Sequence, residues 1–405
     1  MGIIVKKFGG ATLADPQKVR AIAYRIAHER KSGDQIVVVV SAMGKSTDIL
    51  LNQINELSKN PEPREVDLLL STGELASAAL LSIALNEQGC KAHSLSGAQA
   101  GILTDSSHSS AAIQSVDGSR IEEILKQDTV VILAGFQGVT AQGDVTTLGR
   151  GGSDTTAVAI AARLRAKRCE ILKDVPAVFT ADPRIVSDAL PISNLSYDAL
   201  LEMTYWGAKV LQYRSVEIAK NFVVPLYVGP AHFKEQGTIV EEKPMIEDTE
   251  ILALNSHERV LQVHAKQPSL SEALTWLRQF LDEKKISFPQ VVHSEKAING
   301  IDLFMTGPNE NMEAIQREIR SSSELEVDEL STVTATCRGA TRPEILERVV
   351  GTLEKTGINV LNMLVSSMSV TVFVESHLRQ KAIRSLHPMI LTSIVWPQPQ
   401  LVGMR

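Results

Sequence analysis

Residues 145–157, VTTLGRGGSDTTA, constrain the fold of this chain more than any other stretch. A β-branched run leads into three glycines within four positions, and an alanine-rich run follows. This order predicts a strand, a tight turn and the start of a helix, because glycine permits sharp bends and close approach of a ligand. The free N–H groups of a helix start favour an anion. With Arg150 and Asp154 flanking the turn, the stretch suits a site that holds a carboxylate and a phosphoryl group together.

Two common phosphate-binding patterns do not fit the chain. The glycine turn is not a dinucleotide fingerprint, because Asp154 stands where the last glycine is required. It is not a Walker A loop either, because no Lys-Ser/Thr pair follows it. Gly44-Lys45-Ser46 is similar to the end of a Walker A loop, but Val39 occupies the position of the first glycine. We therefore expect neither type of loop.

The first 230 residues alternate strand-like and helical runs, which predicts an α/β fold with a mostly parallel sheet covered on both faces. The VVVV run at Val37–Val40 is typical of a central strand buried on both sides. Ligands of such sheets bind beyond the carboxyl ends of the strands. The predicted strands are Ile3–Phe8, Gln35–Ser41, Lys91–Ser96, Thr129–Ala134, Arg168–Leu172 and Val224–Val228. The predicted helices are Pro16–Arg30, Thr47–Lys59, Glu65–Asn86, Ser119–Lys126, Thr155–Ala166 and Tyr197–Met203.

A polar stretch at 229–248 predicts a domain boundary, with a first domain over residues 1–235. The remaining chain repeats a βαββα pattern, which predicts two small split-βαβ modules, at residues 250–330 and 331–405. The first module has strands at Arg259–Ala265, Phe288–His293 and Gly300–Met305 and helices at Ser269–Glu283 and Asn311–Ser321. The second has strands at Thr332–Cys337, Asn359–Leu364 and Ser369–Val374 and helices at Pro343–Thr356 and Ser376–Leu386. Modules this small are expected to pack together or to pair with a second chain.

Composition excludes several classes of protein. The net charge is −6 and no basic run stands out, so we expect no nucleic-acid partner. The three cysteines, Cys90, Cys169 and Cys337, lack CxxC spacing, which favours buried thiols in a reducing compartment over a metal site or disulfides. The N-terminus reads as a strand rather than a signal peptide, and no apolar run approaches the roughly 18 residues of a membrane span. We expect a cytoplasmic protein with no membrane partner.

Further charged and polar residues fall near predicted strand ends. Lys7 precedes Gly9 and Gly10, and could either contact phosphate oxygens or be a solvated surface lysine. Thr47 could bind a ligand or only cap a helix. Glu74 could hold a substrate ammonium or be an exposed glutamate at a helix start.

A second set of candidates follows the predicted strand Arg168–Leu172. Asp174, Phe179 and Arg184 could provide a nucleotide site, with Phe179 as an apolar wall for a purine, but the stretch alone favours an ordinary turn. Lys209 could be a second phosphate lysine or a surface lysine.

Taken in order, these motifs resemble the aspartate kinases of the amino acid kinase superfamily. The resemblance covers residues 3–229 in detail and continues through the tail as two ACT-type regulatory modules. The matching motifs are Lys7-Phe8-Gly9-Gly10, Val39 with Ser41-Ala42-Met43-Gly44, Thr47, Gly73-Glu74-Leu75, Gly97-Ala98-Gln99-Ala100-Gly101, Gly135-Phe136-Gln137-Gly138, Gly149-Arg150-Gly151-Gly152-Ser153-Asp154, Thr180-Ala181-Asp182-Pro183-Arg184 and Gly207-Ala208-Lys209-Val210.

The resemblance implies a three-layer αβα kinase domain followed by two ferredoxin-like ACT domains. It also implies transfer of the ATP γ-phosphoryl group to the side-chain carboxylate of L-aspartate, which begins lysine, threonine and methionine synthesis. Lys7 and Asp154 would be the catalytic residues, and Mg²⁺ would bridge the phosphates. The implied aspartate-binding residues are Ser41, Thr47, Glu74, Arg150, Gly151, Gly152 and Ser153. The implied ATP-binding residues are Lys7, Gly9, Gly10, Lys173, Asp174, Phe179, Arg184 and Lys209. No protein residue is expected to bind a metal directly.

The chain departs from the family pattern at several positions. The family usually has Thr or Ser at Ala11, Ser at Thr12, Thr at Lys173, glycine at Ala177 and His-Pro at Gln212-Tyr213. Lys173 could add a phosphate contact or crowd the nucleotide. The family inserts the first ACT module into the second, so Ile251–Asn255 could be a strand of the second module.

The resemblance leaves regulation and two other functions open. The ACT modules could bind lysine or threonine as a feedback effector or serve only to form a homodimer. The alternatives to an aspartate kinase are a kinase of another small acid on the same fold and a non-catalytic ACT-bearing sensor or partner subunit.

Overall fold

A computed structural model describes residues 2–231, 237–242, 251–284, 286–321 and 326–391. These residues form two compact units. The first contains residues 2–178, Pro191–Thr204 and the described residues from Lys209 to 242. The second contains Phe179–Leu190, Tyr205–Ala208 and the described residues from 251 onward. The division of the tail into two modules at residue 330 stays a prediction, and much of the predicted boundary at 229–248 lies outside the described residues.

The strands and helices predicted for the first unit are present, and further short strands and a further helix occur beside them. Its strands are β1 (Ile3–Phe8), β2 (Gln35–Val40), β3 (Ala92–Leu95), β4 (Ile102–Thr104), β5 (Ile113–Val116), β6 (Val130–Ala134), β7 (Gln137–Val139), β8 (Val145–Thr147), β9 (Arg168–Lys173), β10 (Asn194–Leu195), β11 (Leu226–Pro230) and β12 (Thr238–Val240). Its helices are α1 (Pro16–Glu29), α2 (Ser46–Leu57), α3 (Pro63–Glu87), α4 (Ser119–Lys126), α5 (Gly152–Arg163), α6 (Tyr197–Tyr205, whose last residue belongs to the second unit) and α7 (Tyr213–Asn221).

The main sheet has the order β10-β12-β11-β9-β1-β2-β6-β3. All neighbouring pairs are parallel except β11 with β12. Val37–Val40 lies on β2 between β1 and β6, and these valines are inaccessible to solvent. The expectation of a buried central strand is confirmed, because contiguous apolar residues can be accommodated only where both faces are covered.

Helices cover both faces of this sheet, and the alternation of side chains along β1 separates the two faces. Lys6 faces α1, where its Nζ lies 2.8 Å from an Oε of Glu29. Lys7 faces α5, where its Nζ lies 2.6 Å from Oδ1 of Asp154. The predicted αβα layering is therefore confirmed, and the residues after β1 and β2 lie at one edge of the sheet with the start of α5.

Helix α3 is long and apolar enough to pass a length-and-composition test for a membrane span, and half of its most apolar stretch is buried inside the unit. Its buried face carries Asp67, Ser71 and Glu74 as well as Leu81 and Leu85. A second, smaller sheet has the order β5-β4-β7-β8 and lies against α3 through β8. Strand β8 therefore ends beside α3, immediately before the glycine turn.

The second unit contains an antiparallel sheet with helices packed against it. Its strands are β13 (Ile251–Asn255), β14 (Val260–Ala265), β15 (Gln290–Ala297), β16 (Gly300–Thr306), β17 (Glu326–Cys337), β18 (Asn362–Val365) and β19 (Ser369–Glu375). Its helices are α8 (Leu270–Glu283), α9 (Asn309–Ser321), α10 (Pro343–Lys355), α11 (Arg379–Leu386) and α12 (Pro388–Leu391).

The two βαββα patterns of the tail share a single sheet of order β15-β16-β14-β17-β19-β18. Strand β17 joins them, because its first half pairs with β14 and its second half pairs with β13. Ile251–Asn255 thus pairs with the second pattern, as the resemblance implies. Two hydrophobic cores result, one beneath α8 and α9 and the other beneath α10, α11 and α12.

Phe179–Leu190 packs into the core of the second unit rather than the first. Ala181 and Val186 join the cluster beneath α10 and α11. The backbone carbonyl of Thr180 accepts a hydrogen bond from Leu254 at 2.7 Å, and its hydroxyl lies 3.0 Å from Nε2 of His387. The segment is therefore fixed by contacts with residues about 70 to 200 positions later in the chain.

Burial of His387 leads to a testable pH dependence. Desolvation lowers the pKa of His387 below 6.5, and the nearby Asp188 only partly opposes this shift. The unfolded chain therefore binds a proton at this histidine more readily than the folded chain. As a result, the free energy of unfolding decreases when the pH falls below about 6.5. We expect the thermal midpoint to fall less between pH 7.5 and pH 5.5 in His387→Gln than in the natural chain. An equal fall in both proteins, measured by circular dichroism, would contradict the assignment.

Candidate active site

An ion pair between Lys7 and Asp154 lies where β1 meets the start of α5. The two side chains approach to 2.6 Å, and the residues are 6% and 5% exposed. Asp154 is in the first turn of α5, where a carboxylate is favoured by the helix dipole. The interpretation of Lys7 as a solvated surface lysine is wrong. The pair fixes an ammonium group at the carboxyl edge of the sheet, where a ligand phosphate is expected.

The end of β2 lies directly beside this pair. Ser41 follows β2, and its Oγ lies 2.8 Å from Oγ of Ser153. A Cβ placed on Gly135, at the end of β6, would lie only 2.8 Å from the Cβ of Ser153. Glycine is therefore required at 135 for α5 to approach β6, and two hydroxyl groups meet next to Lys7 and Asp154.

Glu74 is the most unusual carboxylate of this edge. It lies in the middle of α3 with 5% exposure, so its interpretation as an exposed glutamate at a helix start is wrong. Its Oε1 accepts a 3.0 Å hydrogen bond from the backbone N–H of Ala42. Its Oε2 is buried without a hydrogen-bond partner among the described residues. Burial raises the pKa of Glu74 to about 7, against the opposing effects of the Ala42 N–H and the positive charge of Lys7.

Lys173 ends β9, the strand next to β1. Its ammonium donates a hydrogen bond to the backbone carbonyl of Val210. Burial lowers its pKa, the nearby Lys7 acts in the same direction, and Asp154 acts against both. Lys173 therefore belongs to the same electrostatic cluster as the Lys7–Asp154 pair.

Close packing or an unusual backbone conformation explains why two positions of the predicted site, Gly10 and Gly151, are glycine. A Cβ at Gly10 would lie 2.5 Å from the carbonyl oxygen of Ala42, so the chain after β1 packs tightly on the chain after β2. Gly151 has a φ of +71°, a conformation that L side chains rarely adopt, and its Cα faces the side chain of Gln212. Gln212, a departure from the family pattern, thus packs directly against the glycine turn.

The other predicted residues are distributed as follows. Thr47 is partly exposed in the first turn of α2, whose N-cap is Lys45, so the N-cap interpretation of Thr47 is wrong. Gly9 directly follows Phe8 at the end of β1. Arg150, Asp174 and Lys209 are exposed in the first unit. Phe179 and Arg184 belong to the second unit, where Arg184 pairs with Asp182 at 2.6 Å. The roles of these residues in binding stay predictions.

Asp67 was missed by the sequence analysis although it is fully buried on α3. The only signal was its position, within an apolar run and seven residues before Glu74. Seven residues make two helical turns, so both carboxylates lie on one face of α3.

Two other features lie outside this cluster. A cavity of about 940 Å³ opens at the opposite edge of the sheet, near the first residues of β2 and β6, and its lining includes Arg30, Cys90 and Lys126. Within the described ranges, no group of three or more His, Cys, Asp or Glu side chains is arranged to hold a metal ion. The three cysteines are buried free thiols, as predicted.

The arrangement can hold a phosphoryl group beside a molecule that carries a positively charged group. A buried ammonium group beside helix and strand ends stabilises charge on a phosphoryl group, and a carboxylate with a partnerless oxygen can accept a cationic group.

A model of the amino acid kinase family matches residues 2–230, and the chain belongs to this family.

Several proteins similar to this chain are aspartokinases. The aspartokinase of Geobacillus stearothermophilus is 51% identical over 247 residues, which cover 61% of each chain. The aspartokinase of Bacillus sp. strain MGA3 is 35% identical over 397 residues, covering 96% of this chain and 97% of the relative. The crystal structure of E. coli aspartokinase III in complex with aspartate and ADP superimposes with a TM-score of 0.77 at 24% identity, covering 96% of this chain and 100% of that one. The predicted resemblance to the aspartate kinases and the predicted fold are therefore confirmed.

Proposed function

We propose that this chain is an aspartate kinase. It transfers the γ-phosphoryl group of ATP to the side-chain carboxylate of L-aspartate and releases ADP and 4-phospho-L-aspartate. A carboxylate oxygen forms the new bond to phosphorus while the bond to the bridging oxygen of ADP breaks. This is the first step of lysine, threonine and methionine biosynthesis. The near-full-length similarity to an aspartokinase supports the assignment.

The observation that carries the proposal is the grouping of Lys7, Asp154 and Glu74 at one edge of the sheet. Lys7 is held by Asp154 at 2.6 Å and is close enough to Glu74 to lower its pKa. Lys7 would stabilise the charge on the transferring phosphoryl group, and Glu74 would hold the aspartate α-ammonium with its partnerless Oε2. Because the nucleophile is already an anion, catalysis needs positioning and electrostatic stabilisation rather than a general base.

The remaining substrate contacts follow from the same arrangement. Ser41 and Ser153, whose hydroxyls meet at 2.8 Å, would hydrogen-bond the substrate together with Thr47. Arg150 is exposed on the glycine turn, where its guanidinium fork suits the planar α-carboxylate. Gly151 and Gly152 would present the turn and the start of α5 to the same substrate.

ATP would occupy the side of the site formed by the ends of β1 and β9. The proposed contacts within the first unit come from Lys7, Gly9, Gly10, Lys173, Asp174 and Lys209. When bound with the nucleotide, Mg²⁺ neutralises charge on the phosphates. Asp174 is exposed and follows β9 directly.

Assembly and regulation complete the proposal. We expect a cytoplasmic homodimer formed through the second unit, in which the ACT-like sheet gives a surface for a second copy. Lysine or threonine is the expected effector class.

An ATP-dependent hydroxamate assay tests the function. The chain should form aspartyl hydroxamate with L-aspartate and ATP, with ADP released in equal amount. Turnover with a different small acid and none with aspartate would identify a kinase of that acid. Ligand binding without turnover of any acid would identify a sensor or partner subunit. Repeating the assay with lysine and threonine identifies the effector.

A further inference from the structure

Asp67 is a buried carboxylate surrounded by donors from two other segments. The backbone N–H of Ser109 lies 2.9 and 3.0 Å from its two oxygens. Thr147 donates from its backbone N–H at 3.0 Å and from its hydroxyl at 2.6 Å. Nδ1 of His108 lies 2.9 Å from Oδ2. Hydrogen bonds to an ionised acceptor are the strong ones, so α3 is joined firmly to both segments.

The two segments that Asp67 joins also contact one another. The backbone N–H of Ala111 donates to the carbonyl of Thr147 at 2.9 Å. A Cβ on Gly149 would lie 3.1 Å from the carbonyl oxygen of Ser109, which itself has a left-handed φ of +67°. The chain from Thr147 to Gly149 is therefore held between α3 and the loop at 108–111.

This fixed stretch leads directly into the site. Thr147 is the last residue of β8, Arg150 follows three positions later, and α5 begins at Gly152 with Asp154 in its first turn. Arg150 is itself exposed, so its backbone depends on the residues that flank it for a defined position. The left-handed glycines at 149 and 151 permit many other backbone conformations, which a firm attachment at Thr147 removes.

We propose that Asp67 is a positioning residue for the glycine turn that presents Arg150 to the substrate α-carboxylate. This inference rests on the proposed function. Asp67 does not touch the substrate; it acts through Thr147 and Ser109. Loss of its charge affects the aspartate subsite selectively, because α5, which carries Asp154, is also held by its contacts with β1, β2 and β9.

The test is Asp67→Asn, which keeps the size of the side chain but turns an amide NH₂ toward donors that need an acceptor. We expect KM for aspartate to rise about tenfold, because small displacements of a positioning group have large effects. KM for ATP should stay within about twofold of its original value. Hydrogen exchange of the peptide 145–152 should become faster, while that of β1 stays unchanged.

Two further variants test the role of Asp67 in positioning the glycine turn. Thr147→Val removes one donor hydroxyl and keeps the backbone N–H, so it should raise KM for aspartate and speed exchange of 145–152 to a smaller extent, even if Asp67→Asn does not fold. Glu65→Gln neutralises an exposed carboxylate on α3 and should change neither quantity. Equal increases of both KM values, or unchanged exchange at 145–152, would overturn the inference. Exchange is measured without substrate, so a natural chain that lacks aspartate turnover would refute the proposed function while the exchange data still decide on Asp67.

Discussion

Replacing Lys7 with methionine is expected to lower kcat for aspartate phosphorylation by about 10²- to 10³-fold. The physical reason is that the ammonium is already held in place by Asp154 before the reaction begins. A charge that is positioned in advance stabilises the transferring phosphoryl group without reorganisation in the transition state. Methionine keeps the length and apolar character of the stem, so the loss is one of charge. The measurement is kcat from coupled ADP release at saturating ATP and aspartate.

Lys6 provides a matched control on the same strand. It is buried like Lys7 but faces the opposite side of the sheet, where it pairs with Glu29 and Glu170. After Lys6→Met, Arg25 still pairs with Glu29 and Arg168 with Glu170. Breaking a buried pair costs about 3–5 kcal/mol, and the remaining arginines place Lys6→Met near the lower end of that range.

Comparing the two variants separates an effect on the stability of the fold from an effect on catalysis. Lys6→Met should lower the free energy of unfolding, measured in urea, while kcat per folded molecule stays within about twofold of its original value. Lys7→Met should be destabilised too, since Asp154 loses its partner, but its folded molecules should be nearly inactive. Equal kcat losses in both variants would mean that Lys7 has only the structural role that Lys6 has.

The central strands could be predicted from the sequence because their signal is local. Strand β1 begins and ends where predicted, and β2 differs by one residue. Contiguous β-branched residues bounded by glycine or serine leave few alternatives. Helix α5 begins at Gly152 rather than Thr155, because glycine in the turn masks the helix start. That difference places Ser153 and Asp154 inside the first turn.

The environment of Glu74 could not be settled from sequence. Both interpretations of this residue were consistent with its neighbours, and the choice depends on packing of α3 against the chain after β2. The 3.0 Å contact from Ala42 crosses 32 positions of sequence, and a close approach of Gly73 to Ala42 makes it possible. Local propensity carries no information about such contacts.

The same limit explains Asp67 and the segment Phe179–Leu190. The donors of Asp67 lie 41 to 80 positions later in the chain. Thr180 meets His387 across 207 positions, so a motif expected beside the nucleotide is folded into the second unit. The joining of the two βαββα patterns by β17 also depends on strand pairing between distant segments. Helix α3 and the second half of β17 were predicted, but their partners were not.

Replacing Glu74 with glutamine is expected to stabilise the ligand-free protein and to impair it as an enzyme. Burial raises the pKa of Glu74 from 4.5 to about 7, so the folded state binds a proton more readily than the unfolded state. Stability from this group therefore falls as pH rises from 4.5 to 7, and the full cost is present above pH 7. At about 1.4 kcal/mol per pKa unit, that cost is about 3 kcal/mol at pH 8.

Glutamine removes the cost while its amide oxygen still accepts from the N–H of Ala42. We therefore expect Glu74→Gln to raise the free energy of unfolding at pH 8, by up to about 3 kcal/mol, and to lose this advantage toward pH 4.5. The measurement is urea unfolding at several pH values. Glu87→Gln, at an exposed position near the end of α3, is the matched control and should change stability little at any pH.

The same substitution should weaken aspartate binding, because an amide cannot replace a carboxylate as the partner of an ammonium group. A hydrogen bond to a charged group contributes roughly 1.5–3 kcal/mol, so KM for aspartate should rise at least about tenfold. In the natural chain the substrate ammonium favours the ionised carboxylate, and KM for aspartate should fall as pH rises from 6 to 8. That pH dependence should be absent in Glu74→Gln. A variant that is less stable at pH 8 and keeps the original KM would show that Glu74 is ionised without strain and lies outside the aspartate subsite.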